Sequence, residues 1–236
     1  MTGLLVSVRD VTEAAVAVRA GVDVLDLKEP AAGPLGAASV EVWEQVVDQV
    51  AGKVPVSLAL GELLDEALWD RLAAIPAGVC YAKLGLAGCQ NDDLWKSRWQ
   101  RAISLMPAGV SPVAVIYADH QAARSPERTS VIEAAEEFGC AAVLVDTHDK
   151  SAGNLLAHWP LEKLWGHAEQ VQQRGMMVVL AGSLDEAAIR LLNKPIVDLL
   201  AVRGAACQGD RGGRLDEQQV VGLVELVRQQ DLARRS

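Results

Sequence analysis

One stretch of the chain reads Val22-Asp23-Val24-Leu25-Asp26-Leu27-Lys28-Glu29-Pro30. Its apolar and charged residues alternate with the period of two that is typical of a β-strand, so Asp26 and Lys28 point to the same face. The strand is too apolar to be a solvated edge. This alternation therefore predicts that one face of the strand carries charge into the interior of the protein.

Similar short runs, rich in Val, Leu and Ala, alternate with segments whose apolar residues have helical spacing. The predicted strands are Leu4–Val8, Val24–Lys28, Pro55–Leu60, Tyr81–Gly85, Val113–Tyr117, Ala142–Asp146, Met177–Ala181 and Leu199–Arg203. The predicted helices are Thr12–Ala20, Val40–Val50, Leu64–Ala74, Asp93–Leu105, Pro126–Phe138, Leu161–Gln173, Asp185–Leu192 and Glu217–Gln230. Eight successive βα units predict an α/β fold, a single (β/α)8 TIM-type barrel over residues 1–236.

A doubly wound parallel sheet would show the same alternation of strands and helices. It would more often carry a glycine fingerprint after its first strand, and the segment Ser7-Val8-Arg9-Asp10 contains no glycine. Half of the residues are hydrophobic but only 4% are aromatic. A core of Val, Leu, Ala and Ile suits parallel strands covered by helices, and the barrel is the preferred prediction.

Charge and composition exclude several classes of protein. The net charge of -9 offers no basic stripe to neutralise phosphates, so no nucleic-acid partner is expected. The four cysteines form no C-x-x-C pair, which predicts reduced thiols rather than disulfides or a zinc site. The segment Met1–Gly21 carries several charges, and no apolar run is long enough to span a bilayer. We therefore expect a cytoplasmic protein without a membrane partner.

Tryptophan and histidine give weaker signals. Trp95 and Trp99 lie four apart on a predicted helix and indicate packing against the barrel or a partner subunit. Exposed Trp and Leu side chains on such helices would favour a homo-oligomer. His120 and His148 have acidic neighbours, but their spacing matches no metal motif, so no metal is expected. His167 is predicted to lie on a helix surface.

Charged side chains stand at the ends of three alternate strands. Asp26 and Lys28 end the second strand, Lys83 ends the fourth, and the sixth ends in Asp146 with Lys150 shortly after it. Alternate strands supply side chains to the same layer of a barrel interior. Lysines are rarely buried unless they are paired or functional. These residues predict either an ion-pair network that sets the register or a catalytic site, and catalysis ranks first because desolvation makes such networks costly.

Burial gives a lysine the properties of a nucleophile. Loss of solvation disfavours the ammonium form, so the pKa of a buried lysine falls toward the range where its amine is free. An adjacent carboxylate, such as Asp26 beside Lys28, can orient the amine or move its protons. This combination is the minimum needed for Schiff-base chemistry on a carbonyl.

The last two strands predict an anion site. Gly182 and Ser183 follow the seventh strand, and Arg203 and Gly204 follow the eighth. Barrel enzymes frequently bind phosphate with these two loops and a helix N-terminus, although ordinary turns would have the same composition. The nearby polar loop 209–214 is predicted to be solvated, with a lid or further phosphate contacts as alternatives.

Five segments together resemble the (5-formylfuran-3-yl)methyl phosphate synthase family over essentially the whole chain. They are Leu4–Val8, Asp26–Pro30, Gly33–Ala37, Lys83–Gly85 and Asp146–Lys150, and the second and third are the most specific. The resemblance implies a barrel enzyme of the lyase class that serves the biosynthesis of methanofuran-type C1 carriers. It would condense two molecules of glyceraldehyde 3-phosphate, lose phosphate and water, and need no metal or organic cofactor.

The resemblance also implies a role for each charged residue. Lys28 would form the Schiff base and Lys83 would accept a proton, with Asp26, Asp146 and Lys150 as supporting groups. Two alternatives stay open on the residues alone. One is a class I aldolase-like lyase that acts on another sugar phosphate, and the other is a non-catalytic barrel that binds phosphate.

Overall fold

Eight parallel strands close into a barrel in the order of the chain. The computed structural model describes the backbone of residues 1–233 and the side chains of residues 1–229, so the end of the predicted domain at residue 236 lies outside the described residues. The first strand pairs with both the second and the eighth, which closes the sheet. The strands are β1 (Gly3–Val8), β2 (Val24–Leu27), β3 (Val56–Glu62), β4 (Val79–Gly85), β5 (Ser111–Tyr117), β6 (Ala142–Asp146), β7 (Met177–Leu180) and β8 (Leu199–Val202). The predicted TIM-type barrel is confirmed.

Helices follow the strands and cover the outside of the barrel. They are α1 (Val11–Ala20), α2 (Val40–Val50), α3 (Leu68–Ala73), α4 (Trp95–Ser104), α5 (His120–Ala123), α6 (Arg128–Glu137), α7 (Leu155–His158), α8 (Leu161–Gln172), α9 (Glu186–Leu192) and α10 (Glu217–Ala233). Short 3-10 turns occupy Pro30–Ala32, Cys89–Asn91 and Gly204–Ala206. All eight predicted helices are present. The extra helices α5 and α7 were missed because four residues are too few to show a helical period.

Side chains cap several helices. The first helix is capped by Asp10, whose carboxylate accepts the N–H three residues on. Asp185 caps α9 in the same way, and Ser39 caps α2. Aspartate carries a charge that interacts favourably with the helix dipole, which is consistent with its use at two of these caps.

The protein has two hydrophobic cores. The larger one lies between the strands and the helices, and the smaller one lies inside the barrel. Leu5, Val24, Val113 and Leu144 fill the barrel together with other buried apolar side chains. Toward the carboxyl ends of the strands the interior residues become small, as at Ala181. Small residues leave space in a barrel that large ones would fill, and a cavity opens at this end.

The tryptophan stripe packs inward as predicted. The rings of Trp95 and Trp99 stack with centroids 6.0 Å apart, and Trp99 meets Phe138 edge-on at 5.5 Å. The expectation of exposed tryptophans is wrong, because the large apolar side chains exposed among residues 1–229 are Met, Leu and Val. None of the helices in residues 1–233 is long and apolar enough to cross a membrane.

His167 contradicts its predicted surface position. Its side chain is 1% exposed and lies edge-on against Trp159, with ring centroids 5.4 Å apart. It shares the buried face of α8 with Leu164 and Val171, at the spacing of one helical turn. Burial lowers the pKa of His167 to about 3, so the ring is neutral and serves packing.

Candidate active site

The carboxyl ends of the strands open into a cavity of about 350 Å³. Residues from six of the eight strands, or from the loops that follow them, line it. The cavity contains eight of the nine residues that the sequence predicts for the site, namely Lys28, Lys83, Asp146, Lys150, Gly182, Ser183, Arg203 and Gly204. Asp26, the ninth, lies against Lys83 in the barrel interior. The structure therefore brings the predicted residues together in one region of the barrel.

Lys83 and Asp26 form a buried ion pair. The Lys83 Nζ lies 2.5 Å from Asp26 Oδ1, and the two side chains are 5% and 0% exposed. The other carboxylate oxygen of Asp26 accepts a hydrogen bond from the Ser7 hydroxyl at 3.0 Å. Ser7 lies beside Asp26 in the register of β1 and β2. The alternation along β2 thus turns Asp26 inward, where it fixes the position of the Lys83 ammonium.

Lys150 and Asp146 form a second pair at the end of β6. The Lys150 Nζ lies 2.5 Å from Asp146 Oδ1, which also accepts the Thr147 N–H at 2.8 Å. Burial alone would raise the pKa of Asp146, but the charges of Lys150 and Lys28 outweigh it and hold the pKa below its usual value. Asp146 is therefore an ionised carboxylate in the wall of the cavity.

Lys28 is the cavity lysine without a carboxylate of its own. Its Nζ donates a long hydrogen bond of 3.5 Å to the Pro34 carbonyl, and no acidic side chain among residues 1–229 lies within 4.0 Å of it. The residue is 9% exposed. Burial lowers its pKa to about 8, against the opposing effects of Asp146 and Asp26.

This pKa changes how Lys28 reacts. At pH 7, about a tenth of an amine with this pKa is neutral, roughly 300-fold more than for an ordinary lysine. A neutral amine is the nucleophile that Schiff-base chemistry requires. Of the three lysines, Lys28 is therefore best placed to attack a carbonyl, and the two ion pairs remain available to transfer protons or position a substrate.

The loop after β7 has the geometry of an anion cradle. Gly182 has a φ of +98° and Ser183 a φ of +52°, both in the left-handed region. A Cβ on Gly182 would approach Thr147 Cγ2 to 3.0 Å, so glycine is required there. The N–H groups of Gly182 and Ser183 donate to no acceptor in the described part of the chain. Both line the cavity, where such donors can bind phosphate.

Arg203, predicted to bind phosphate, has other partners. Its five N–H donors go to the carboxylate of Glu13 and to the backbone carbonyls of Ser7, Arg211 and Gly213. The pair with Glu13 is almost fully buried. A phosphate at this guanidinium would have to displace bonds already made. The structure therefore favours a structural role for the side chain of Arg203, which ties α1 to the loop after β8.

Arg211 lies in the loop 209–214, for which a solvated loop was the preferred prediction and a lid or further phosphate contacts were the alternatives. Its side chain lines the cavity, and its Nη2 donates to the carbonyls of Pro30 and Gly33, both at 3.2 Å. This contact joins the loop after β8 to the loop after β2. The sequence did contain a signal for a cavity residue here. Arg211 lies in a Gly-rich segment that follows the last strand, and such a segment lies at the mouth of a barrel.

No group of three or more His, Cys, Asp or Glu side chains within residues 1–229 is arranged to hold a metal ion. All four cysteines are free thiols, as the sequence predicts.

Solved structures share the fold of this chain. A thiamine phosphate pyrophosphorylase from Pyrococcus furiosus superposes with a TM-score of 0.63 and 17% identity, and 96% of each chain is covered. A phosphoribosyl anthranilate isomerase from Thermus thermophilus superposes with a TM-score of 0.63 and 13% identity, over 98% of this chain and 100% of that chain. At these identities, the likeness shows the barrel fold alone.

Other proteins are more similar to this chain in sequence than these solved structures are. A (5-formylfuran-3-yl)methyl phosphate synthase from Methanococcus maripaludis is 32% identical, over 95% of this chain and 99% of its own length. Another from Archaeoglobus fulgidus is 30% identical, over 95% and 98%. The family model described as 4-HFC-P synthase matches residues 4–224. The chain therefore belongs to the 4-HFC-P synthase family of enzymes, to which the resemblance of the strand-end segments had pointed.

Proposed function

We propose that this enzyme condenses two molecules of glyceraldehyde 3-phosphate into (5-formylfuran-3-yl)methyl phosphate through a Schiff base on Lys28. The reaction loses phosphate and water, which makes the enzyme a lyase, and it serves the biosynthesis of methanofuran-type C1 carriers. The observation that carries this proposal is the unpaired, buried amine of Lys28 between two lysine–carboxylate pairs. The sequence relatives are synthases of (5-formylfuran-3-yl)methyl phosphate, which supplies the product.

The first step is attack of the neutral Lys28 amine on the aldehyde carbon of one triose phosphate. The carbinolamine loses its hydroxyl as water and leaves a protonated imine. That imine is an electron sink, so it lowers the barrier to removal of the proton from the neighbouring carbon. The carboxylate of Asp146, whose pKa is held low, supplies a negative charge that stabilises the cationic imine.

Lys83 is the group that takes this proton. To accept the proton Lys83 must be a neutral amine, so its own proton has to pass to Asp26 first. Asp26 lies 2.5 Å from the Lys83 Nζ and can receive or return a proton as the charge on the lysine changes. The resulting enamine adds to the second triose phosphate, and ring closure with loss of phosphate and water completes the furan. Hydrolysis of the imine then releases the product and returns the Lys28 amine.

The loop after β7 fits the phosphate of the Lys28-bound substrate. The N–H groups of Gly182 and Ser183 face no protein acceptor within the described residues, and the two residues line the same cavity as Lys28. Anchoring the phosphate there holds the aldehyde end of the molecule near the amine. Such positioning converts an encounter of two molecules into a reaction within one complex.

The substitution Lys28→Arg tests the proposal. It keeps the positive charge, but a guanidinium cannot form the imine, so we expect no furan-aldehyde absorbance and no release of phosphate from glyceraldehyde 3-phosphate. The matched control is Lys53→Arg at an exposed position, which should keep the wild-type rate. Full activity of Lys28→Arg would exclude the Schiff-base mechanism. If the wild-type enzyme cleaves sugar phosphates, or exchanges their protons, without forming a furan, it is instead an aldolase-like lyase.

A further inference from the structure

Two triose phosphates bring two phosphate groups into one cavity. Dianionic groups repel each other strongly at short range, so the condensation needs a second anion site apart from the loop after β7. This requirement rests on the proposed function, because only a reaction between two phosphorylated molecules needs the second site. Apart from the nucleophile Lys28, Arg211 is the cation in the cavity wall that has no carboxylate partner among the described residues.

The protein fixes the position of Arg211 from two sides. Its Nη2 donates to the carbonyls of Pro30 and Gly33, and its own backbone carbonyl accepts the Nε–H of Arg203 at 3.1 Å. Arg203 is in turn held by the buried carboxylate of Glu13. A side chain held in this way is pre-organised, so little conformational entropy is lost when it binds a ligand.

The remaining donors of Arg211 have no protein partner among the described residues. Its Nε and Nη1 groups make no hydrogen bond there, and no carboxylate within residues 1–229 lies within 4.0 Å of the guanidinium. The guanidinium is half-buried, and burial lowers the pKa of Arg211. A partly desolvated guanidinium with a free N–H edge is suited to bind a phosphate through two parallel hydrogen bonds.

Arg211 also stands at the border between two cavities. Beside the central cavity lies a shallow depression that shares Arg211 and Lys150 with it and is otherwise lined by residues of the loops after β2, β5 and β6. His148 and Ser151 add polar groups to its wall, and Oδ1 of Asp149 accepts both the N–H and the hydroxyl of Ser151. At its border with the central cavity the depression therefore presents the Arg211 guanidinium and the ammonium of Lys150, which is paired with Asp146.

We propose that Arg211 binds the phosphate of the second glyceraldehyde 3-phosphate, in the depression between the loops after β2 and β6. Lys150, on the same border, adds a second positive charge to this site. From there the aldehyde of the second molecule reaches into the central cavity, where the enamine on Lys28 attacks it. The two phosphates thereby lie on opposite sides of the reacting carbons, and their repulsion is reduced.

The test compares adduct formation with product formation in Arg211→Gln. Glyceraldehyde 3-phosphate is titrated, the Lys28 adduct is trapped with borohydride, and the furan aldehyde is followed by its absorbance. We expect the concentration that gives half-maximal adduct to stay unchanged, while the concentration that gives half-maximal product formation rises about 10- to 100-fold, since a charged hydrogen-bond partner is lost. The control Arg214→Gln removes a charge from an exposed position in the same loop and should change neither.

Arg211→Lys controls for the possibility that Arg211→Gln merely disrupts the loop. It keeps the positive charge but cannot form two parallel hydrogen bonds, so it should recover part of the affinity for the second substrate. Product formation by Arg211→Gln at the wild-type concentration dependence would overturn the inference, and so would equal loss of adduct and product. Either result leaves the proposed function intact, because that function is judged on the wild-type enzyme. Its own failure would appear as a wild type that forms neither adduct nor furan.

Discussion

At the scale of single residues, the site depends on an unequal sharing of carboxylates among three lysines. Lys83 has Asp26 and Lys150 has Asp146, whereas Lys28 has a carbonyl 3.5 Å away. An ion pair stabilises an ammonium and therefore makes a lysine a poor nucleophile at neutral pH. In the proposed mechanism the unpaired lysine is therefore the nucleophile, and the paired ones carry protons or charge.

Lys83→Gln should separate imine formation from proton removal. We expect the variant to form the Lys28 adduct but to lose both the furan product and the exchange of the substrate's α-proton with solvent, as measured by NMR in deuterated water. Because this change leaves Asp26 buried without its cation, it should also destabilise the fold by about 3–5 kcal/mol. The double variant Lys83→Gln, Asp26→Asn removes both charges and serves as the stable control. Unchanged exchange in either variant would remove Lys83 from this role.

The rate of adduct formation should report the pKa of Lys28. Since the neutral amine reacts, the trapping rate should rise with pH and reach half of its maximum near pH 8. Asp146 raises this pKa by favouring the ammonium, so Asp146→Asn should move the midpoint to lower pH. Asp93→Asn, at an exposed position outside the cavity, should leave the midpoint in place. A midpoint that moves to higher pH in Asp146→Asn would contradict the electrostatic account.

At the scale of elements, the buried pair of Arg203 and Glu13 connects the end of the barrel to its beginning. Glu13 lies in α1, accepts the N–H groups of Arg9 and Leu215, and pairs with the guanidinium that follows β8. The loop that carries Arg211 is thereby anchored to the first helix. Arg203 thus supports the mouth of the cavity indirectly, by fixing a loop.

Glu13→Gln should destabilise the protein by roughly 3 kcal/mol at neutral pH, because it leaves a buried guanidinium without its counter-charge. Burial raises the pKa of Glu13, but Arg203 and backbone donors lower it further, and the net value lies below 4.5. The ionised carboxylate therefore stabilises the fold above pH 4.5, and this contribution is lost as the pH falls through the folded-state pKa.

Urea unfolding at pH 7 and at acid pH measures this effect. The difference between wild type and Glu13→Gln should be largest at pH 7 and should shrink below pH 4.5. Glu217→Gln, in the exposed pair with Arg19, is the matched control and should change little at either pH. An equal loss of stability at both pH values would show that the charge of Glu13 is not what stabilises the loop.

The elements themselves were predictable where the chain obeys a simple period. The predicted β6 and α2 have the observed bounds, because apolar residues repeat regularly and turn residues delimit them. The predicted α3 begins four residues too early, at Leu64. Asp65 instead accepts the Glu62 N–H and pairs with Arg71, so these residues form a turn before the helix starts.

At the scale of the whole molecule, the barrel itself explains why residues chosen from the sequence lie together in one cavity. Strands two, four and six bring Lys28, Lys83 and Lys150 together because a closed parallel barrel places the ends of all strands on one face. The contacts of Arg203 and Arg211 were not predictable in this way. Their partners lie as far as 196 residues away along the chain, and loop geometry, which has no period, decides which arginine meets Glu13.

The most direct test of the account is borohydride reduction of the wild-type enzyme with glyceraldehyde 3-phosphate, followed by peptide mass mapping. An ultraviolet scan of the unreduced mixture reports the product. We predict one reduced adduct, on Lys28, together with a new furan-aldehyde absorbance. An adduct on Lys83 or Lys150 instead, or furan formation without any trapped lysine, would contradict the assignment of Lys28 as the Schiff-base nucleophile.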